Sequence, residues 1–462
     1  MGKAAEALQQ TLEQYKISQN RLATALGVKR PTVFRWFHGK ADPPAETVVQ
    51  ICDALREIDQ KAADCFIQVY LGVTIDPSSS QSIIPAAQVL PASDSVNVAA
   101  LSAIFSNTTN SYKYLFFTAI LEILRRRQFE ALSPISFQEL VIEMLASAWY
   151  PHTYFKLSFG KQDQIAQKLG TLDLEISEPI LKFTDTDKKL LRKTILDQNL
   201  QDIIKALSRY VPFRLLNPFL ADQLNDVDKG KGNALDVAMP KIAADAFETA
   251  QPLYKFNSVQ YRDVNAIYLH SAWVSYFERH YVIVRGWAAW EWLGYMQRRN
   301  PSTPGLTNKL FMPNKRDSLA KQTKFWKLVL SHQPLACIYS GALLDSSMPI
   351  SLDHYLPWSF VAHDQLWNLI PTLPAINSSK SNSLPMSDLF ESFVTIQHSA
   401  LVISRKHMKL KEWESFVESY EVDLGITSDK LTDLDSLREA YNRVIGPLLS
   451  LARTQGFQTW GY

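Results

Sequence analysis

Residues 73–100, VTIDPSSSQSIIPAAQVLPASDSVNVAA, break the helical periodicity on either side of them with serine, proline and small residues. Such a stretch reads as a flexible tether, and it divides the chain into a module of residues 1–72 and a much longer part beyond residue 100. One hydrophobic core rarely serves more than roughly 250–300 residues. A chain of 462 residues therefore calls for several cores, and 46% hydrophobic with 20% charged residues is enough to fill them.

Downstream of the tether, KYLFFTAILEILRRRQFE and DKKLLRKTILDQNLQDIIKALSRYV space their apolar residues three and four apart, which predicts a mostly helical central domain over residues 101–308. The stretch WVSYFERHYVIVRGWAAWEWLGYMQRR places Trp273, Trp287, Trp290 and Trp292 on one long helix, as core packing. No apolar run approaches the roughly 20 residues that cross a bilayer, and MGKAAEALQQTLEQY lacks the apolar stretch of a signal peptide. A cytoplasmic protein with no membrane partner is expected. Cys52, Cys65 and Cys337 are too few and too scattered for a disulfide framework. No glycine-rich phosphate loop is evident, so no nucleotide cofactor is expected. With a formal net charge of +2, any affinity for nucleic acid has to come from local basic clusters.

The segment ISQNRLATALGVKRPTVFRWFHGKADPPAETVVQICDAL parses helix by helix. Ser18 can N-cap a helix ending at Leu26, and Gly27 permits a tight turn. A second helix runs from Arg30 to about Phe37, with Pro31 in its first turn. Val33 and Trp36 should face inward, leaving Arg30, Thr32 and Arg35 to meet bases or phosphates in a major groove. The segment resembles the lambda-repressor/Cro-like helix-turn-helix family, and that resemblance implies that Gln19, opening the first helix of the pair, touches the DNA backbone. Formation of a homodimer, or a second DNA site acting through the tether, would raise an otherwise modest affinity.

The stretch ACIYSGALLDSSMPISLDHYLPWSFVAHDQLWNLIPTLPAINSSKSNSLP, residues 336–385, carries the chemistry. Hydrolysing a phosphodiester needs an activated water on one side of phosphorus and a charge sink for the departing oxygen on the other. An unperturbed imidazole titrates near about 6.5, which suits a general base, and His354 is the candidate for it. Asp353 with Asn377 offers hard oxygen donors for Mg²⁺ or Mn²⁺. Asn368 can hold the base's ring through its amide. On a strand Asp353 and His354 face opposite ways, so a β-hairpin followed by a helix is expected to bring the set together.

The order of these residues is similar to the HNH, or ββα-metal, nuclease family, including the HNH domains of CRISPR RNA-guided nucleases. By that resemblance Asp353 and Asn377 are metal ligands, His354 is the general base, Asn368 fixes the histidine loop, and Lys380 lies close to the bound strand. Many family members pin the hairpin with zinc on two cysteine pairs. Here the corresponding positions are Cys337, Ser340, Leu373 and Ile376, so no structural zinc is expected and the two aliphatics should form a small apolar core. His363, His332, His398 and His407 read as structural. The cluster of Lys309, Lys315, Arg316, Lys321, Lys324 and Lys327 reads as solvated surface or as a track for a phosphate backbone.

The expected fold is mainly α and multi-domain: a helix-turn-helix bundle over 1–72, a linker over 73–100, the helical central domain, a small ββα-metal (HNH) module over 309–400 and a helical C-terminal segment over 401–462. The expected function is metal-dependent hydrolysis of DNA, in defence against foreign DNA by analogy. Two alternatives stand beside it: a DNA-binding transcriptional regulator whose HNH module is an inactive scaffold, and an RNA or structure-selective nuclease.

Overall fold

The computed structural model describes residues 3–43, 45–71, 90–130, 133–172, 185–224, 233–311 and 317–461, in two compact units, Met1–Pro85 and Ala86–Tyr462. Among the described residues the architecture is mainly α, with three small antiparallel sheets.

The first unit is built of α1 (Lys3–Gln14), α2 (Gln19–Leu26), α3 (Arg30–Phe37), α4 (Ala45–Ile58) and α5 (Gln60–Leu71). Leu8, Leu12, Leu22, Val33, Trp36, Ile51, Leu55 and Phe66 meet in its core. The Ser18 hydroxyl accepts from the Arg21 amide at 3.2 Å and caps α2. Gly27, with φ 65°, takes the left-handed conformation that closes the helix, which a side chain would strain. Val33 and Trp36 are buried as the spacing predicts.

The second unit holds two cores. The helical core gathers α6 (Val98–Ser102), α7 (Tyr112–Arg126), α8 (Phe137–Trp149), α9 (Gln164–Leu169), α10 (Asp185–Leu196), α11 (Gln201–Leu207), α12 (Val211–Arg214), α13 (Ala234–Asp245), α14 (Ser271–Arg299) and α15 (Leu306–Leu310). A three-stranded sheet of β1 (Ile135–Ser136), β2 (Tyr254–Phe256) and β3 (Ala266–Leu269), ordered β1-β3-β2, packs with them. Helix α7 is apolar around most of its circumference and is buried from Tyr114 to Leu121 except at Thr118, which makes it a central element. Of the linker expected over 73–100, residues 73–89 lie outside the described residues and the remainder is packed. Leu90 and Val96 lie in this core and the Tyr276 hydroxyl donates to the Pro91 carbonyl at 2.7 Å, so residues 90–100 pack with the helices. Trp273, Trp287 and Trp292 are core residues, but Trp290 is 72% exposed, on the outer face of α14.

The second core is built from α16 (Ala320–His332), β4 (Leu335–Ala336), β5 (Leu343–Leu344), β6 (Ser351–His354), α17 (Trp358–Val361), β7 (Leu369–Thr372), α18 (Pro374–Lys380), α19 (Phe390–His407), α20 (Leu410–Leu424) and α21 (Leu434–Thr454). No boundary falls at residue 400. Helix α19 runs through it, and a single apolar cluster reaches from Phe325 to Phe457. Buried Gln397 donates to the Leu369 carbonyl at 2.9 Å and accepts from the Tyr420 hydroxyl at 2.6 Å, while the Tyr441 hydroxyl donates to the Trp367 carbonyl at 2.8 Å. The C-terminal helices therefore brace the β6–β7 hairpin from behind.

Candidate active site

Strands β6 and β7 pair antiparallel, with Asp353 opposite Ile370 and His354 opposite Leu369, and α18 follows directly on β7. This is the hairpin-and-helix arrangement that the sequence predicts. Consecutive positions on β6 send Asp353 and His354 to different faces. Asp353, 2% exposed, faces Tyr339 and Lys380; the ring of His354 turns toward the loop between α17 and β7.

The ring partner of His354 is Asp364, whose carboxylate lies 2.8 Å from Nε2. Asn368 does not touch the ring, which corrects the expectation for it. Its amide instead accepts from the Leu356 backbone N–H and donates to the Leu356 carbonyl, each at 2.8 Å, so it locks the chain where β6 leaves for the loop. Asn368 is fully buried, and both bonds satisfy groups that would otherwise be stranded. Asp364 escaped sequence reasoning because its partner is set by the loop's path. That path turns at Ala362, a left-handed helix cap with φ 56°. A carboxylate ten residues beyond a candidate base was the one available signal.

Lys380 corrects the reading of a basic position beside bound DNA. Its side chain is fully buried, pairs with Asp353 at 3.1 Å and donates to the His354 carbonyl at 2.7 Å. Burial pulls this ammonium below its ordinary pKa, against the opposing pull of Asp353. The Tyr339 hydroxyl, also missed in the sequence, donates to Asp353 at 2.5 Å; burial first, and the carboxylate's charge second, push its pKa well above the ordinary tyrosine value, so it stays a donor. Asp353 is thus held by two donors. Asn377, on α18, donates its amide to the Ser351 hydroxyl at 2.6 Å and toward the Leu352 carbonyl at 3.4 Å. A carbonyl can only accept, so the amide oxygen of Asn377 is the atom left over for a cation.

A carboxylate offers about four lone-pair positions, and Tyr339 with Lys380 leaves part of that capacity. Asp353 and the Asn377 oxygen are hard donors of the kind Mg²⁺ prefers, so the residues fit such an ion, sharing Asp353 with the lysine.

The zinc positions are apolar or uncharged. Ile376 is buried, Leu373 packs against the same core, and the Cys337 thiol lies buried 3.2 Å from the Thr372 hydroxyl. The ring of His363 accepts from the Gln365 amide at 3.3 Å and packs on Trp367, and burial lowers its pKa to about 4. His332 and His407 stack on each other at 3.7 Å, and His398 bonds the Thr432 carbonyl. Of the basic cluster, Lys309 is fully buried, Lys321, Lys324 and Lys327 are exposed on α16 with Lys324 paired to Glu412 and Lys321 bonded to Ser415, and Lys315 and Arg316 lie outside the described residues.

On the N-terminal unit, Arg30 and Arg35 are exposed on α3, Thr32 is half-buried beside them, and Gln19 is half-buried at the start of α2. Phe34, 40% exposed between them, is an outward aromatic that the apolar pattern had hidden.

Residues 337–386 match the family model of HNH endonucleases, and residues 8–59 match a helix-turn-helix family model. No curated protein and no solved structure matches the chain. The chain therefore joins a helix-turn-helix domain of the DNA-binding kind to an HNH endonuclease domain.

Proposed function

We propose that this protein is a metal-dependent endonuclease that hydrolyses phosphodiester bonds in DNA, with His354 as its general base. The observation that carries this reading is the His354–Asp364 pair, set beside Asp353 and Asn377 on one hairpin-helix unit. With Asp364 accepting from Nε2–H, the ring keeps one tautomer and its Nδ1 lone pair is available to take a proton from water. The same carboxylate stabilises the imidazolium that proton transfer creates. Asn368 fixes the backbone on which the ring turns, and Lys380 with Tyr339 fixes Asp353. A divalent cation held by Asp353 and the Asn377 oxygen would supply the charge sink for the phosphate and the leaving oxygen. The helix-turn-helix domain, through Arg30, Thr32, Arg35 and Gln19, would bring DNA to the site. By analogy alone, a DNA reader joined to a nuclease suits a role in defence against foreign DNA.

One observation favours a second reading, a DNA-binding regulator with an inactive HNH scaffold: Asp353 is 2% exposed and already paired with a lysine. Incubation with duplex DNA, single-stranded DNA and RNA of one sequence, with Mg²⁺, separates the readings. Cleavage of the duplex supports the first, cleavage of RNA alone makes the protein a ribonuclease, and firm duplex binding without cleavage supports the regulator.

A further inference from the structure

Lys309 lies on α15, outside the residues that match the HNH model, and its side chain is fully buried. Its ammonium donates to the Phe360 carbonyl at 2.5 Å and stands 5.3 Å from the Phe360 ring; among the described residues no carboxylate pairs with it. Burial alone lowers its pKa to about 7. A methionine of similar length would fill the same space without that desolvation but would leave the buried Phe360 carbonyl without this donor, so what the lysine returns for its burial is that one bond.

The neighbours of Lys309 grip the same loop. The Asn308 amide donates to the Ala362 carbonyl at 3.1 Å. Gly305, with φ 60°, lies so close that a β-carbon on it would sit 2.7 Å from the Val361 carbonyl oxygen and 2.9 Å from the Ala362 β-carbon. One turn thus touches residues 360, 361 and 362 in succession, immediately before His363 and Asp364. On its other side the same turn is anchored in the helical core by Leu306, Leu310 and Phe311, and Trp358 from the loop enters that core beside Phe155.

We propose that Lys309, with Asn308 and Gly305, is a clip that positions the histidine loop so that Asp364 meets His354, and that through it the helical core sets the geometry of the nuclease site. Lys309 is a positioning residue in this account: it acts on carbonyls, and through them on Asp364. Its catalytic consequence rests on the nuclease reading above, whereas its effect on the His354 ring does not. The Lys309 donor, protonated or neutral, keeps an N–H for the Phe360 carbonyl, and that acceptor lies in a turn held in a left-handed conformation at Ala362.

The test uses the full chain labelled with ¹⁵N-histidine, with His354→Gln assigning the ring signals. In the parent, the His354 ring should show a single tautomer protonated on Nε2. In Lys309→Met the relieved desolvation and the lost bond to Phe360 oppose each other, so the melting temperature should stay close to that of the parent while the His354 signals move toward a mixture of tautomers. With Mg²⁺ and DNA, kcat should fall at least 10-fold with KM unchanged. Asn308→Ala, at an exposed position, should move ring signals and kcat in the same direction by less, and it carries the test if Lys309→Met does not fold. Parent-like ring signals in both variants, or a loss of activity that only tracks a lower melting temperature, would overturn the clip. A parent protein that cleaves nothing defeats the nuclease reading instead, and the ring signals still decide the clip.

Discussion

Asp364 and His354 lie 2.8 Å apart, carboxylate to Nε2, although ten residues and a full turn of helix separate them along the chain. A carboxylate at that distance favours the tautomer with its proton on Nε2, and on the proposed reading this leaves Nδ1 to take a proton from water. Substituting Asp364→Asn preserves shape but removes the charge. The expected outcome is a fall of about 10²-fold in kcat with KM for DNA unchanged, measured as initial rates of duplex cleavage.

Lys380→Met should act on stability, because it leaves the carboxylate of Asp353 buried with Tyr339 as its remaining donor. Breaking a buried pair in this way costs about 3–5 kcal/mol. Urea denaturation in EDTA should show that loss, and Mg²⁺ should recover part of it by restoring a positive charge beside Asp353. DNA affinity should not change, since the side chain is fully buried.

His363 links the site to pH. Burial lowers its folded pKa to about 4, below the roughly 6.5 of an unfolded chain, so the unfolded state binds the proton first as pH falls. The resulting stability is fully present above about pH 6.5 and is lost progressively toward pH 4, by up to about 3 kcal/mol. Denaturation midpoints between pH 4 and 7 should follow that slope, and His363→Gln should flatten it.

Arg35→Ala should weaken DNA binding through a lost phosphate or base contact from the exposed face of α3. If the contact is to phosphate, fluorescence anisotropy across a salt series should show a slope of log affinity against log salt that is smaller by about 0.9. Trp36→Ala, by contrast, should unfold the N-terminal unit, because Trp36 sits in its core.

Much of this architecture is legible in the sequence because it is local. The cap at Ser18, the turn at Gly27 and the inward Val33 and Trp36 depend on neighbours within a few residues, and the Asp353-His354 hairpin followed by a helix depends on residue order. What is not legible is long-range. Lys309 and Lys380 read as surface cations, because a lysine's charge says nothing of its burial until the fold supplies a carbonyl or a carboxylate for it. Asn368, which reads as the holder of the ring, is taken up by the Leu356 backbone, and the loop's turn at Ala362 gives that place to Asp364. Trp290 looked like core from helical spacing, yet α14 turns it outward. Residues 90–100 read as linker from their composition, yet Leu90 and Val96 find a core that composition cannot reveal.

The most direct measurement of the central claim is cleavage of supercoiled plasmid DNA by the intact protein in Mg²⁺ or Mn²⁺, beside EDTA and beside His354→Ala. The account predicts nicking or linearisation that disappears in EDTA and falls at least about 10²-fold in the variant. Cleavage that persists in His354→Ala, or an intact protein that binds DNA firmly and cleaves none with either metal, would contradict it.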